Sequence, residues 1–591
     1  MPTATLPALR PFCVLLAAAA LLLPSACNRP AGTPATAPLP FTGQLPEVGG
    51  VQAIVSLRHP KLVNQDLGKF MAGVPETAML RLVLSQFAAY GYPEFSEIAA
   101  DSNVGLAVLS ISAADLKAKS AVTIGLAKLK EGGKLWTLLQ ASHLAVQKQG
   151  DWVLIGKDEA SLAKLKSPAA VISYLEEPQA EDLRLWGRAS PDLLAALKDQ
   201  FLLGVNVQLS ALAPAQQKAA LAYIDVLFSL LAQLHSAGLT LTFTDDAMRL
   251  TEFAQFLPDS PAGTYLRYQP GPPPAVAQLV SGDALLTGVF RQDPKAAGDL
   301  ASATLDPFIA VGYPPVSDPL KRMKASYLAL VAASDGGGAG VVDVTGEVKD
   351  GAPKMTPRFF YTLSGQFTPQ IVRSYVQSGK ALTDMLTNFM GANFAAKAGA
   401  PPGTLPTQLT ENALTVDGAT FDSWVIPNGL GGPEAGRTTD YVGAAGGNLV
   451  VADSEATLQQ RLPALLAKTA LADGIAVPAS ADEIGRMSLN GAKLVDLAAA
   501  AAKLDRSDPD IKAALDGFTA DYAAGGPVTS VVTGGQAKGQ VELAVPYKFI
   551  EASMHLGQYL SARKFNLLQL FTPGPPRSAA HPRRPSPAAT P

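Results

Sequence analysis

The chain has 591 residues, 48% of them hydrophobic and 16% charged, which gives room for about three or four domains at roughly 150 residues each and excludes a wholly solvated, disordered chain. Lys and Arg number 47 against 50 Asp and Glu, a net charge of −3, so the basic excess that phosphate backbones attract is missing and nucleic acid is excluded as an expected partner. Only Cys13 and Cys27 carry thiols, which excludes a disulfide framework and a cysteine zinc site in the body of the chain.

Residues 1–26 have the pattern of an export signal: Arg10, then the unbroken apolar run Phe12–Leu23, then small residues before Cys27. The run is 12 residues, short of the roughly 20 that a membrane-spanning helix needs and matched to the apolar region of a signal peptide. Residues 27–49 follow, with Pro30, Gly32, Pro34, Pro38 and Pro40, a composition that predicts an extended, disordered tether.

Two α+β units are expected next, at 50–257 and 276–570, divided by a Pro-rich linker at 258–275 that holds Pro270–Pro274. They read as diverged copies of one unit. Gly150–Leu162 matches Gly446–Leu458: an apolar triplet predicts a strand, Asp158 and Ser454 stand as N-caps, and Glu159 and Glu455 open a helix at its positive end. Leu183–Arg188 corresponds to Arg486–Asn490, and each precedes a helical stretch. Hairpins at 239–256 and 528–547 close the copies around Asp245-Asp246 and Gly534-Gly535. The openings Ala53–Pro60 and Thr287–Pro294 each run from a strand to a proline that can start a helix.

The second copy is longer, with two additional hairpins predicted at 341–367 and 414–426. Short turns between consecutive strands predict mainly antiparallel sheets, packed with Ala/Leu-rich helices. The helix expected over Gln216–Leu234 carries Leu221, Ile224, Leu227, Leu231 and Leu234 at helical spacing, which predicts deep packing. Residues 571–591 are Pro-rich and basic, with Arg577, Arg583 and Arg584 and no acid, and predict a disordered tail.

Chemistry-bearing motifs are missing. The sequence has no HExxH, GxxxxGK[ST], GxSxG, GxGxxG or paired CxxC. The glycine-rich Gly336–Gly340 lacks nucleotide-fingerprint spacing and is expected to be a loop. Ser161/Lys164 and Ser561/Lys564 fit Ser-x-x-Lys without the partner motifs of a penicillin-binding site, and read as helix-start residues. His59, His143, His235, His555 and His581 include no pair at metal-ligand spacing. Asp508-Pro509-Asp510 reads as an N-cap followed by Pro at the first helical position. No catalytic residue, metal ligand or cofactor is expected. One cluster has two readings: if Leu183 and Leu185 face the core, alternation sends Arg184, Trp186 and Arg188 to the opposite face, where a tryptophan between two arginines either is covered by a neighbouring helix or loop, the favoured reading, or forms a surface cluster that binds an anionic or sugar ligand.

Leu23-Pro24-Ser25-Ala26-Cys27 resembles the lipobox of bacterial lipoproteins. Ser25 and Ala26 match it, whereas Pro24 stands where that family has Leu, with Leu23 one place early. The resemblance implies that Cys27 is lipidated and anchors an exported envelope protein, and Asn28 in place of Asp implies the outer membrane. The other reading is a secretory signal cleaved after Ala26. The body also resembles, diffusely, uncharacterised exported bacterial proteins with tandem α+β units, which implies no site. The function expected is non-catalytic, binding or scaffolding for another envelope protein. A carrier of a lipid or other apolar ligand, or a hydrolase with an unrecognised site, stands as the alternative.

Overall fold

The computed structural model describes residues 51–58, 102–109, 122–129, 133–142, 144–177, 179–210, 212–267, 274–349, 352–398, 408–427, 437–478, 480 and 482–563. The export signal, Cys27, the tether, the C-terminal tail, His59, His143 and His581 lie outside them. The class is α+β: 18 strands and 13 helices among the described residues, with every strand pairing antiparallel.

The first half runs β1 (Val51–Leu57), β2 (Val104–Leu109), β3 (Thr123–Lys128), α1 (Lys134–Ala141), β4 (Ala145–Gln149), β5 (Trp152–Gly156), α2 (Glu159–Ala163), α3 (Pro168–Glu176), β6 (Leu183–Arg188), α4 (Pro191–Ser210), α5 (Pro214–Leu231), β7 (Leu234–Phe243) and β8 (Ala247–Phe256). α6 (Pro261–Arg267) and a 3₁₀ turn, Ala275–Leu279, lead to the second half. There follow β9 (Leu286–Arg291), α7 (Pro294–Ala310), α8 (Pro314–Ala333), β10 (Ser334–Lys349), β11 (Ala352–Gly365), α9 (Pro369–Ala398), β12 (Gln408–Val416), β13 (Ala419–Pro427), β14 (Arg437–Ala445) and β15 (Asn448–Ala452). The chain ends with α10 (Glu455–Ala467), β16 (Glu483–Leu489), α11 (Gly491–Ala501), α12 (Pro509–Gly525), β17 (Val528–Gly535), β18 (Lys538–Pro546) and α13 (Tyr547–Ala562).

The strands form one continuous sheet. From the β8/β18 seam outward, one side runs β8-β7-β6-β1-β2-β3-β5-β4 and the other runs β18-β17-β16-β9-β10-β11-β15-β14, with β13 and β12 added at that edge. A single cross-strand row ties the order to residues. From the first half it reads Leu154, Leu126, Gly105, Ser56, Arg184, Thr240 and Thr251; across the seam it continues Glu542, Val531, Arg486, Val289, Ala339, Thr362 and Val450. Leu154 with Val450 and Arg184 with Arg486, from the segments matched in sequence, occupy corresponding places, and Thr251 and Glu542 meet at the seam. Both hairpins expected in the second half are present, β10–β11 and β12–β13; in the strand order β10 and β11 stand at the places of β2 and β3, and β12–β13 extends the edge.

Directly opposed residues in a sheet share a face. On the face of this row, Leu126 and Leu154 pack under Leu162, Val171 and Leu175 of the α2–α3 segment. Farther along, Val289, Ala339, Phe421 and Val450 pack under Leu458, Leu462 and Leu465 of α10, at helical spacing. Each of these three leucines is fully buried, worth roughly 1.5–3 kcal/mol apiece. On the opposite face α8 and α9 cover Val442 and Leu449 through Leu330, Val372 and Val376, while α11, α12 and α13 pack around Tyr522.

Local signals place the helix starts. Asp158 accepts from the Ser161 amide at 2.7 Å, and Ser454 from the Thr457 amide at 3.3 Å; Asp508 accepts from Asp510 and Ile511. Three expectations are corrected. The helix over 216–234 ends at Leu231 and is not deeply packed: Leu221 and Leu227 are each 37% exposed. It meets α7 through a Tyr223–Phe308 stack at 6.2 Å, and its apolar residues spread beyond a single stripe, so the spacing alone does not fix which of them is buried. Gly336–Gly340 lies in strand β10 rather than a loop; a Cβ on Gly338 would come within 2.4 Å of the Phe290 ring, so bare backbone is what lets that ring lie against the strand. Pro261–Arg267, within the expected linker, form α6 with Leu266 buried.

Candidate functional site

Where the first half is filled by a tryptophan, the second half is open. In the first half the row Ile54, Trp186, Gly238, Phe253 crosses β1, β6, β7 and β8. Its counterpart across β9, β16, β17 and β18 is Thr287, Ser488, Thr529, Ala544. The Trp186 and Phe253 rings lie 4.9 Å apart in the first core, and Gly238 must be glycine because a Cβ there would sit 2.3 Å from the Phe253 ring.

This arrangement reverses the faces expected for β6. Alternation holds, but Trp186 is 4% and Arg184 8% exposed, whereas Leu185 is 38% exposed. Arg188 is half-buried, and its carbonyl accepts from Gln52. The three residues therefore form no surface cluster. Arg184 can be buried because Glu181 pairs with it at 2.5 Å and its guanidinium lies 5.8 Å from the Tyr174 ring. The second half repeats the pair with the same spacing: Arg486 binds both oxygens of Glu483, at 2.7 and 2.8 Å. That hydrogen bond raises the Arg486 pKa above the ordinary arginine value.

A cleft of about 450 Å³ opens beside Ser488 in the second half. It is bounded by the loop at 282–284, the loop at 473–476, the end of β16, the first turn of α11 and the end of α12. Its floor holds Thr287 and Ser488, which are directly opposed on β9 and β16. They are 1% and 5% exposed, no described residue bonds either hydroxyl, and neither oxygen is among the buried polar atoms left without a partner, so both open onto the cleft. Beside them Asn490 caps α11 by accepting from the Ala492 amide at 3.1 Å.

The rim carries Asp283 and Asp473. Asp283 pairs with Lys493 at 2.8 Å, and this hydrogen bond raises the lysine pKa. Asp473 accepts from the Ser281 hydroxyl at 2.5 Å, while its carbonyl takes the Gly282 amide at 2.6 Å. The Ser281–Gly474 bridge clips the two rim loops together. Gly474 has no room for a side chain, since a Cβ would lie 2.6 Å from the Gln278 carbonyl oxygen. Burial pushes the Tyr522 phenol up, and its hydroxyl bonds Ser553 at 2.8 Å.

The remaining chemistry-bearing residues do not converge on the cleft. His235 and His555 are exposed, and neither lines it. Ser161 donates to its cap Asp158 at 2.6 Å. Among the described residues no three His, Cys, Asp or Glu side chains group as a metal site. Sequence reasoning did not single out Thr287, Ser488 or Asn490. The available signal is Ser488 standing at the sheet position that matches Trp186 in the first half. No known protein family, curated protein or solved structure matches the chain.

Proposed function

We propose that this is a non-catalytic, lipid-anchored protein of the bacterial cell envelope, built from two copies of one α+β unit, which acts by binding a small ligand in the cleft of its second copy. The observation that carries the reading is the cleft floor. Two hydroxyls that no described residue bonds face a space large enough for a ligand, and a ligand that matches them gains about 0.5–1.5 kcal/mol for each bond exchanged with water. Duplication is supported by the matching strand order, the equivalent Glu–Arg pairs and the equivalent helix caps. A polar floor counts against the alternative of an apolar carrier.

A second reading, a scaffold for another envelope protein, is favoured by Phe201, Leu203 and Val207, which stand exposed along α4.

The binding reading predicts that native mass spectrometry of the full-length protein from its own envelope shows a non-covalent adduct of a small polar molecule. A bare protein mass, or an adduct with the mass of a lipid, overturns it. Anchoring rests on Cys27, and Cys27→Ala is expected to move the protein out of the membrane fraction; unchanged retention defeats the anchor.

A further inference from the structure

The groups on the cleft define what can occupy it. Thr287 and Ser488 present hydroxyls, each both a donor and an acceptor. No described residue takes a hydrogen bond from the Asn490 Nδ2, which is a donor only. Asp283 Oδ1 is used by Lys493 and Asp473 Oδ2 by Ser281, and the second oxygen of each carboxylate has no partner among the described residues. These oxygens are acceptors only. A matching ligand gives hydrogen bonds to the rim carboxylates, takes one from the Asn490 amide and both gives and takes them at the floor, within one small volume. Hydroxyls on neighbouring carbons do this.

Other chemistries leave groups unmatched. An anion supplies acceptors only and meets the acceptor-only oxygens of Asp283 and Asp473; Lys493 and Arg461 stand behind that rim, Lys493 already paired with Asp283, and no Arg or Lys is on the lining itself. A polyamine supplies donors only and leaves the Asn490 amide without an acceptor. An acyl chain would shut both floor hydroxyls off from water without bonding either, which costs about 1–3 kcal/mol each. The volume of about 450 Å³ lies within the roughly 300–1,000 Å³ of small-molecule sites.

We infer that the cleft between β9, β16 and α11 is a binding site for a neutral saccharide of one or two rings, held at its floor by the Thr287 and Ser488 hydroxyls and at its rim by Asn490, Asp283 and Asp473. This rests on the binding reading above and narrows it to a ligand class. The first copy has lost the site to Trp186, whose ring occupies the equivalent space.

The test is calorimetric titration of the full chain in detergent with glucose, N-acetylglucosamine and their β-linked or α-linked disaccharides, and in parallel with spermidine, inorganic phosphate and oleate. At least one saccharide is expected to bind. Ser488→Ala and Thr287→Val are each expected to weaken it about fivefold to tenfold, the loss of one hydrogen bond. Ser488→Trp, which copies the residue the first half already carries at this sheet position, is expected to abolish it while leaving the far-UV circular dichroism unchanged. If Ser488→Trp fails to fold, the Ser488→Ala and Thr287→Val affinities decide. Binding by no saccharide overturns the assignment. Saccharide binding that survives all three substitutions overturns the location. Spermidine, phosphate or oleate binding that Ser488→Trp abolishes overturns the ligand class and leaves the cleft as the place where the protein binds.

Discussion

Trp186→Ser gives the first half the residue that its second-half counterpart carries, and its cost follows from where the ring lies. The side chain is 4% exposed, packed with Ile54 and Phe253 in the core under α3. A buried tryptophan covers roughly 150–250 Å²; at about 25 cal/mol per Å² this is about 4–6 kcal/mol of transfer free energy. Large aromatic residues truncated in cores cost about 3–5 kcal/mol in practice. Losing the Phe253 ring contact lies within that range, so a loss of about 4 kcal/mol is expected. Urea denaturation followed by circular dichroism at 222 nm measures it as a lower midpoint for the transition that contains the first half. A surface residue would change stability by less than about 0.5 kcal/mol. A loss below about 1 kcal/mol refutes the burial of Trp186 and with it the reversal of faces on β6.

Three further outcomes follow from the packing. Glu483→Gln leaves Arg486 buried without its carboxylate and is expected to destabilise by about 3–5 kcal/mol, while adding Arg486→Met recovers most of the loss; a single substitution that is neutral in thermal unfolding contradicts the buried pair. Ser454→Ala removes the α10 cap and a hydroxyl that Arg358 reaches at 2.9 Å, for about 1 kcal/mol, and Ser454→Asp restores it in the same measurement. Burial, aided by the charge of Asp453, pushes Asp440 up to about 6. With its folded pKa above its unfolded value, Asp440 favours the folded state when protonated, so this contribution is lost as pH rises from about 4 through 6. Asp440→Asn is therefore expected to stabilise by about 1–3 kcal/mol at pH 7.5 and not at pH 4. A gain of equal size at both pH values removes Asp440 as its cause.

The sequence carries the parts of the fold that depend on neighbours along the chain. Asp158, Ser454 and Asp508 cap helices because a short polar side chain reaches an amide two or three residues on, whatever the tertiary context. The hairpins at β7–β8, β10–β11, β12–β13 and β17–β18 come from turn residues between alternating runs. What depends on distant partners is harder to read. Alternation along Leu183–Arg188 groups Arg184, Trp186 and Arg188 but does not say which group faces inward, since Glu181 and Tyr174 make a buried Arg184 tolerable. Leu221 and Leu227 lie in a helix whose apolar residues spread beyond one stripe, so their exposure is set by what α5 meets rather than by its own pattern. The cleft is made by what is missing: small hydroxyl residues at 287 and 488 read as ordinary strand positions until the other half shows Ile54 and Trp186 in their places.

Hydrogen exchange of the full-length protein, with and without the saccharide that titrates it, tests the central claim that the second half binds through this cleft and the first does not. The account predicts slowed exchange confined to the rim loops at 282–287 and 473–476 and to 488–493 at the start of α11, with 183–188 unchanged. Protection at 183–188, or none at the rim loops, contradicts it.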